Sequence, residues 1–264
     1  MKLPEDVFVT DGFPEFTYVP LASGEKETEF LEGLAQRNKI ISISGPSKSG
    51  KTTLCKHVIE NKTDYTLIYI TGDSLTSASD LWHEAVKQVV DDTEKNSFDL
   101  SHSERIARLV QSNAALVIDD FHYIPKDFQA TVCRQIKNAA SAGLRIICLT
   151  VPHRGDDAVR GNGDLSGRFF SVDFDYWADA DLLQIASKGF HECGYSVPDN
   201  FASSLASEAL RSPQIMQTLC LETCRSLEPD QAVFDTNFDD TLLVKVRQKA
   251  LRSYNRQTDL QLLR

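Results

Sequence analysis

Gly45-Pro46-Ser47-Lys48-Ser49-Gly50-Lys51-Thr52 decides how this chain is read. The stretch fits G-x-x-x-x-G-K-[ST], the pattern of a phosphate-cradling loop. Ile40-Ile41-Ser42-Ile43 leads into it as a strand, and Thr52-Thr53-Leu54-Cys55-Lys56-His57-Val58-Ile59 leads out as a helix. The glycines let the backbone curl so that successive N–H groups point inward, and the helix N-terminus adds its positive dipole end. Gly45, Pro46, Ser47, Lys48, Ser49, Gly50, Lys51, Thr52 and Thr53 are therefore candidate phosphate-binding residues. Lys51 is expected to reach the β- and γ-phosphates of a nucleoside triphosphate, and the Thr52 hydroxyl to ligate Mg2+.

A second stretch completes the chemistry. Ala115-Leu116-Val117-Ile118-Asp119-Asp120-Phe121-His122 is an apolar run that ends in acids. Strands buried on both faces read as continuous apolar runs, and the ligands of parallel sheets gather at strand C-terminal ends. Downstream of a phosphate loop, this pattern places Asp119 on Mg2+, through water, beside Thr52. Asp120 is then the residue that orients or activates the attacking water. Leu144–Thr150 is a further buried run, and its polar last residue, Thr150, is a candidate γ-phosphate sensor.

The 264 residues suffice for one large domain or two smaller ones. A content of 41% hydrophobic and 25% charged residues suits a soluble globular chain. No run reaches the ~18 apolar residues of a membrane span. Met1-Lys2-Leu3-Pro4-Glu5-Asp6 lacks the basic-then-apolar pattern of a leader, so a cytoplasmic address away from membranes is expected. A net charge of -10 disfavours broad nucleic-acid binding, which calls for a basic surface. The most basic stretch (Lys245, Arg247, Lys249, Arg252, Arg256 and Arg264) reads as a solvated helix face. The six cysteines, Cys55, Cys133, Cys148, Cys193, Cys220 and Cys224, sit largely in apolar runs, as buried free thiols do. Cys220-x-x-x-Cys224 has helical one-turn spacing, but no second Cys/His pair accompanies it to make a zinc site.

In chain order, residues 1–24 are rich in Pro, Gly and aromatics and read as an extended arm packed on the core. There, Tyr18-Val19-Pro20 either touches an adenine ring or simply anchors the arm. A helix is expected over Glu25–Gln36, a strand over Lys39–Ser44, a helix over Lys51–Glu60 and a strand over Tyr65–Thr71. Helices follow at 79–90 and 101–111, separated by a polar loop at Asp91–Ser97. The acidic-ended strand comes next, then a helix from Pro125 to about Ser141, then Leu144–Thr150. Val151–Gly167 is a glycine- and charge-rich loop, and Phe169–Asp173 a short last strand. From about Tyr176 only helices are expected: 178–190, 198–211, one capped by Ser212-Pro213, and 238–254.

This order of parts resembles the AAA+ ATPases and the related STAND regulators. Gly45–Thr52 and Leu116–Asp120 carry the likeness, and its outline covers residues 25–225. The resemblance implies an α/β P-loop fold: a parallel five-stranded sheet in order 5-1-4-3-2 and a C-terminal helical lid. It divides the chain into an arm (1–24), an ATPase core (25–175) and a lid with C-terminal helix (176–264). It implies ATP and Mg2+ as ligands, ATP hydrolysis, and homo-oligomers formed on ATP binding in which a neighbour completes each site. Thr150 falls at the family's first sensor. Arg168 falls where an arginine finger is often found, with Arg154 and Arg160 as rivals, and such a group in trans accelerates hydrolysis roughly 10³–10⁵-fold.

Two positions depart from the family pattern. Asp119-Asp120 replaces the usual Asp-Glu, and with the following aromatic and His it resembles the STAND branch more. Ser212-Pro213-Gln214 stands where many lids carry a sensing arginine, so either Arg211 or Gln214 faces the γ-phosphate or the sensor is absent. A lone core of this size implies service to a protein effector. The alternatives are a nucleotide-held switch with little turnover and a DNA-loading or transposition-type ATPase, which the acidic balance disfavours. A small-molecule kinase shares the loop, but it usually inserts its substrate-binding basic residues within the sheet.

Overall fold

Five apolar runs become five parallel strands in the computed structural model, which describes residues 1–90, 100–151, 167–227 and 238–256. They are β1 (Ile40–Ser44), β2 (Thr66–Thr71), β3 (Ala114–Asp119), β4 (Arg145–Thr150) and β5 (Phe169–Asp173). Their spatial order is β2-β3-β4-β1-β5, the order the resemblance implies read from the other edge. The register sets Ser44 level with both Thr150 and Asp173, and Thr71 level with Asp119. Parallel strands aligned in this way bring their polar C-terminal residues to one rim of the sheet, where ligands of α/β sheets bind. The expected loop at Asp91–Ser97 and most of Val151–Gly167 lie outside the described residues. So do Arg154, Arg160, Arg264 and the Arg256 side chain.

The chain divides into two compact units. The sheet belongs to the unit formed by Glu25–Ser47 and Lys51–Asp175. Its helices are α2 (Glu25–Ala35), α3 (Lys51–Lys62), α4 (Ala78–Lys87), α5 (His102–Gln111) and α6 (Lys126–Ser141). β3 is buried from Ala114 through Ile118 and β4 from Ile146 through Thr150, as central strands covered on both faces must be. On one face Ile68, Leu116, Ile118 and Ile146 pack with Leu81, Trp82, Leu109, Val132 and Ile136 of α4, α5 and α6. Serine-based capping boxes start two of these helices: Ser77 with Asp80 on α4, and Ser101 with Glu104 on α5.

The other unit comprises Met1–Gly24, Lys48–Gly50 and Tyr176–Arg264. It contains α1 (Pro4–Val7), α7 (Asp179–Cys193), α8 (Asp199–Glu208), α9 (Pro213–Cys224) and α10 (Asp240–Arg256). The N-terminal segment differs from the extended arm expected. It opens on a one-turn helix and clusters with the C-terminal helices: Phe8 meets Phe190 edge-on at 5.2 Å, and Gln217 Nε2 donates to Thr17 Oγ1 at 2.6 Å. Tyr18 stacks on Phe13, and its carbonyl accepts Lys188 Nζ at 2.7 Å, an anchoring role for this part of the arm. α8 stops before the expected Arg211 because Leu210 and Arg211 take positive φ angles of 50° and 62°. α9 starts as expected, with Pro213 in its first turn and the Ser212 hydroxyl accepting from Ile215 N–H.

Candidate functional site

The loop after β1 turns back through Lys48 (φ 62°) and Gly50 (φ 93°), and α3 begins at Lys51. Lys48 thus tolerates a left-handed conformation that glycine adopts without cost. Gly45 is fixed by close approach: a Cβ there would lie 2.4 Å from Phe174 Cβ. Its N–H donates to the Thr150 carbonyl at 3.3 Å, so β4 holds the entry of the loop.

Lys51 is buried, with Nζ donating to the Gly45 and Pro46 carbonyls at 3.0 and 2.7 Å. The ammonium therefore sits inside the turn, and burial pulls its pKa below the ordinary lysine value while Asp119 and Asp120 oppose that shift. The Ser49 hydroxyl is buried in the same turn and has no hydrogen-bond partner among the described residues. A hydroxyl stripped of water carries a desolvation cost until a ligand pairs with it.

Across the rim, Thr52 Oγ1 donates to Asp119 Oδ2 at 2.6 Å. Tyr69 Oη donates to the same oxygen at 2.6 Å, and Asp120 N–H donates to Oδ1 at 2.8 Å. Burial, then the hydrogen bond to Asp119, pushes the Tyr69 phenol well above the usual tyrosine range, so it stays a donor. Asp120 itself is left-handed (φ 50°, ψ 41°) and opens the turn Phe121–Tyr123. Its carboxyl is raised above the usual carboxylate value, first by burial and then by Asp119, with His122 and Lys51 pulling the other way. His122 Nε2 stands 4.0 Å from Asp120 Oδ1.

These residues form a buried cation in a tight turn and a pair of hard oxygen donors at the end of a parallel sheet. Residues 31–154 match the family profile described as "AAA domain". By this match, the segment is similar to an AAA domain. A search of curated protein sequences gives no match to the chain. Among solved structures, the chain is similar to Aeropyrum pernix ORC1 in complex with DNA, at TM-score 0.65 and 14% identity. That likeness covers 98% of this chain and 73% of ORC1. It is also similar to the Thermotoga maritima RuvB Holliday junction branch migration motor (TM-score 0.58, 14% identity, 87% of this chain and 70% of that one). A Walker-type ATPase of Pyrococcus abyssi matches at TM-score 0.60 and 14% identity over 89% of this chain and 75% of its own. At such identities the likeness is one of fold.

The sheet gathers Gly45, Lys51, Thr52, Asp119, Asp120 and Thr150 at one rim. Arg168 is not among them. It precedes β5, its carbonyl accepts Ile40 N–H at 2.9 Å, and its Nη1 donates to Ser141 Oγ at 3.0 Å. That is the N-terminal rim of the sheet, the length of a five-residue strand (roughly 16 Å) from the phosphate loop. Gln214, a candidate lid sensor, is engaged by the arm: its Nε2 donates to the Thr10 carbonyl at 2.7 Å. Arg211 donates from Nε to the Trp177 carbonyl at 3.4 Å and lies over the Tyr176 ring at 5.8 Å. In the same unit, Trp177 Nε1 donates to the Ser49 carbonyl at 2.8 Å. Cys220 and Cys224 are buried free thiols, and no metal-holding cluster of His, Cys, Asp and Glu occurs among the described residues. On α10, Arg247 pairs with Glu208 and Lys249 donates to Ser226, partners that fit a solvated face. No described helix is long and apolar enough to cross a membrane.

No motif marks Tyr69, Gly72 or Trp177. A tyrosine in an aromatic, β-branched run is an ordinary strand residue until its register against Asp119 is known.

Proposed function

We propose that the chain binds Mg2+·ATP at Gly45–Thr52 and hydrolyses it, and that nucleotide state controls self-assembly and engagement of a protein effector. The observation that carries this reading is the 2.6 Å contact of Thr52 with Asp119 beside the buried Lys51 ammonium. Hydroxyl and carboxylate oxygens suit Mg2+, which takes few protein ligands and keeps several waters. The buried Ser49 hydroxyl, which has no partner among the described residues, suits a phosphate oxygen. Bound Mg2+ would draw charge from the phosphates, leaving positioning and electrostatics to the protein.

Each residue then has a limited task. Backbone N–H groups of the loop and Lys51 hold the phosphates. Thr52 and Asp119 hold the metal, the acid acting through water. Asp120 orients a water molecule for attack, and Thr150 stands where a γ-phosphate sensor is expected. Arg168 is assigned to a neighbouring chain's site, since its own lies across the sheet. Self-assembly rests on this role and on the AAA+ resemblance.

Lys51→Ala tests the reading. It should abolish ATP binding in calorimetry and phosphate release in a steady-state assay. Hydrolysis at the wild-type rate in this variant would overturn the assignment. The nucleotide-held switch is a second reading, favoured by the short Asp120 carboxyl in place of the family's glutamate. Asp120→Asn separates the two: a switch keeps effector binding with ATP bound, whereas a turnover-dependent ATPase loses its function. A DNA-associated role, suggested by the likeness to ORC1 in complex with DNA, is opposed by the net charge of -10.

A further inference from the structure

Among the described residues Asp119 accepts from Thr52, Tyr69 and the Asp120 N–H, and Tyr69 lies outside both nucleotide motifs. Tyr69 lies on β2 level with Val117, two residues before the Thr71–Asp119 pair. A long side chain on a parallel edge strand can lean along the strand to a diagonal partner. The phenol does so here, ending 2.6 Å from Asp119 Oδ2.

The rest of Tyr69 is pinned from two sides. β2 is an edge strand, and at Tyr69 the Gln88 carboxamide takes the place of a neighbouring strand: Tyr69 N–H donates to Gln88 Oε1 and Gln88 Nε2 donates to the Tyr69 carbonyl, each at 3.0 Å. Lys56, one turn into α3 from Thr52, holds its ammonium 5.0 Å from the ring centroid. Backbone and ring are thus held by contacts other than the hydroxyl, whose Oη donates to Asp119.

We infer that Tyr69 is a positioning residue for the metal-bearing carboxylate, an inference that rests on the Mg2+·ATP reading of the site. Thr52 can ligate a metal through its oxygen and still donate its proton to Asp119 Oδ2. With Tyr69 donating to the same atom and Asp120 N–H to Oδ1, the carboxylate is held at both oxygens. Partners that orient a metal-holding carboxylate typically change metal affinity about 10–100-fold when removed.

Tyr69→Phe removes one oxygen and leaves the ring over Lys56 and the backbone in the Gln88 clamp. The experiment measures Mn2+ affinity of the ATP complex by electron paramagnetic resonance, and ATP affinity without divalent ions by calorimetry. The expected result is Mn2+ affinity weakened about 10-fold or more, with metal-free ATP affinity and thermal midpoint unchanged. Equal Mn2+ affinity in Tyr69→Phe and wild type overturns the inference alone. A parallel loss of metal-free ATP binding overturns it too, because the hydroxyl would then support the site as a whole. Failure of the wild-type chain to bind Mn2+·ATP overturns the underlying reading with it.

Discussion

A Cβ built on Gly72 would lie 2.6 Å from the carbonyl oxygen of Asp120 and 3.0 Å from Ile124 Cγ1. Gly72 directly follows Thr71, which is level with Asp119, so the two strand exits run side by side. The hydrogen at Gly72 is what admits the left-handed turn at Asp120. Gly72→Ala must push Asp120 away, because the obstructing atom is backbone and cannot swing aside. Misplacing a reacting group by about 1 Å costs on the order of 10²-fold in rate. We expect Gly72→Ala to lower single-turnover ATP hydrolysis by about that factor while equilibrium ATP binding holds at the wild-type value.

The raised Asp120 carboxyl makes stability depend on pH with a definite sign. Burial and the Asp119 charge favour the protonated form in the folded chain. The contribution to stability is therefore full below the unfolded carboxylate value of about 3.9 and is lost as pH rises through the folded value. Asp120→Asn removes that loss. Its urea midpoint should exceed wild type at pH 7–8, and the gain should vanish near pH 4. A variant less stable than wild type at pH 8 would show that the charge is offset by contacts the folded chain needs. The same titration predicts that hydrolysis falls as the solution is acidified, since a protonated Asp120 is no longer the basic carboxylate that takes up a proton from the attacking water.

Trp177 Nε1 donates to Ser49 O at 2.8 Å, and a Cβ on Gly50 would meet the indole at 3.7 Å. The indole is buried, and its own backbone pairs with Arg211: Trp177 N–H donates to the Arg211 carbonyl at 3.3 Å, and Arg211 Nε returns to the Trp177 carbonyl. Trp177→Phe keeps most of the apolar surface and leaves the Ser49 carbonyl without this donor. Loss of one such bond costs about 1 kcal/mol, more when the acceptor stays dry. The expected result is a small drop in urea midpoint and weaker ATP binding. The chain has two tryptophans, and Trp82 is fully buried in the core cluster, so wild-type fluorescence should respond to ATP and Trp177→Phe should not.

How far the sequence can be read depends on the distance over which each signal acts. Gly45–Thr52 and Leu116–Asp120 are legible because phosphate binding fixes residue types at fixed spacings, and the buried strands because continuous apolar runs have few other homes. Strand order comes from resemblance to a family, not from periodicity. Pro4–Val7 escapes sequence reading because four residues show no helical period. The end of α8 falls earlier than its pattern suggests because Leu210 and Arg211 adopt left-handed angles without a glycine or asparagine to signal them. Gln214 is a sensor candidate by its place in the chain, yet its carboxamide binds Thr10, a contact 204 residues away in sequence. Tyr69 needs the β2–β3 register before its hydroxyl has any meaning.

The position of Arg168 leads to a test of assembly. Its carbonyl is bonded to Ile40 at the start of β1, whereas the phosphate loop follows Ser44 at the end. Arg168 cannot reach the phosphates of its own chain without leaving the sheet, so any catalytic use of it requires a second copy. Arg168→Ala should then retain ATP binding and lose roughly 10³-fold or more in turnover. Lys51→Ala should be inactive for a different reason, having an intact arginine and no phosphate-binding ammonium. When the two variants are mixed, sites made of the Arg168→Ala chain's phosphate loop and the Lys51→Ala chain's arginine are complete. Phosphate release should reappear in the mixture and rise with total protein concentration. Gel filtration with a slowly hydrolysed ATP analogue should show the larger species that holds those sites. Two inactive variants that stay inactive when mixed, with no shift on the column, would remove Arg168 from the chemistry.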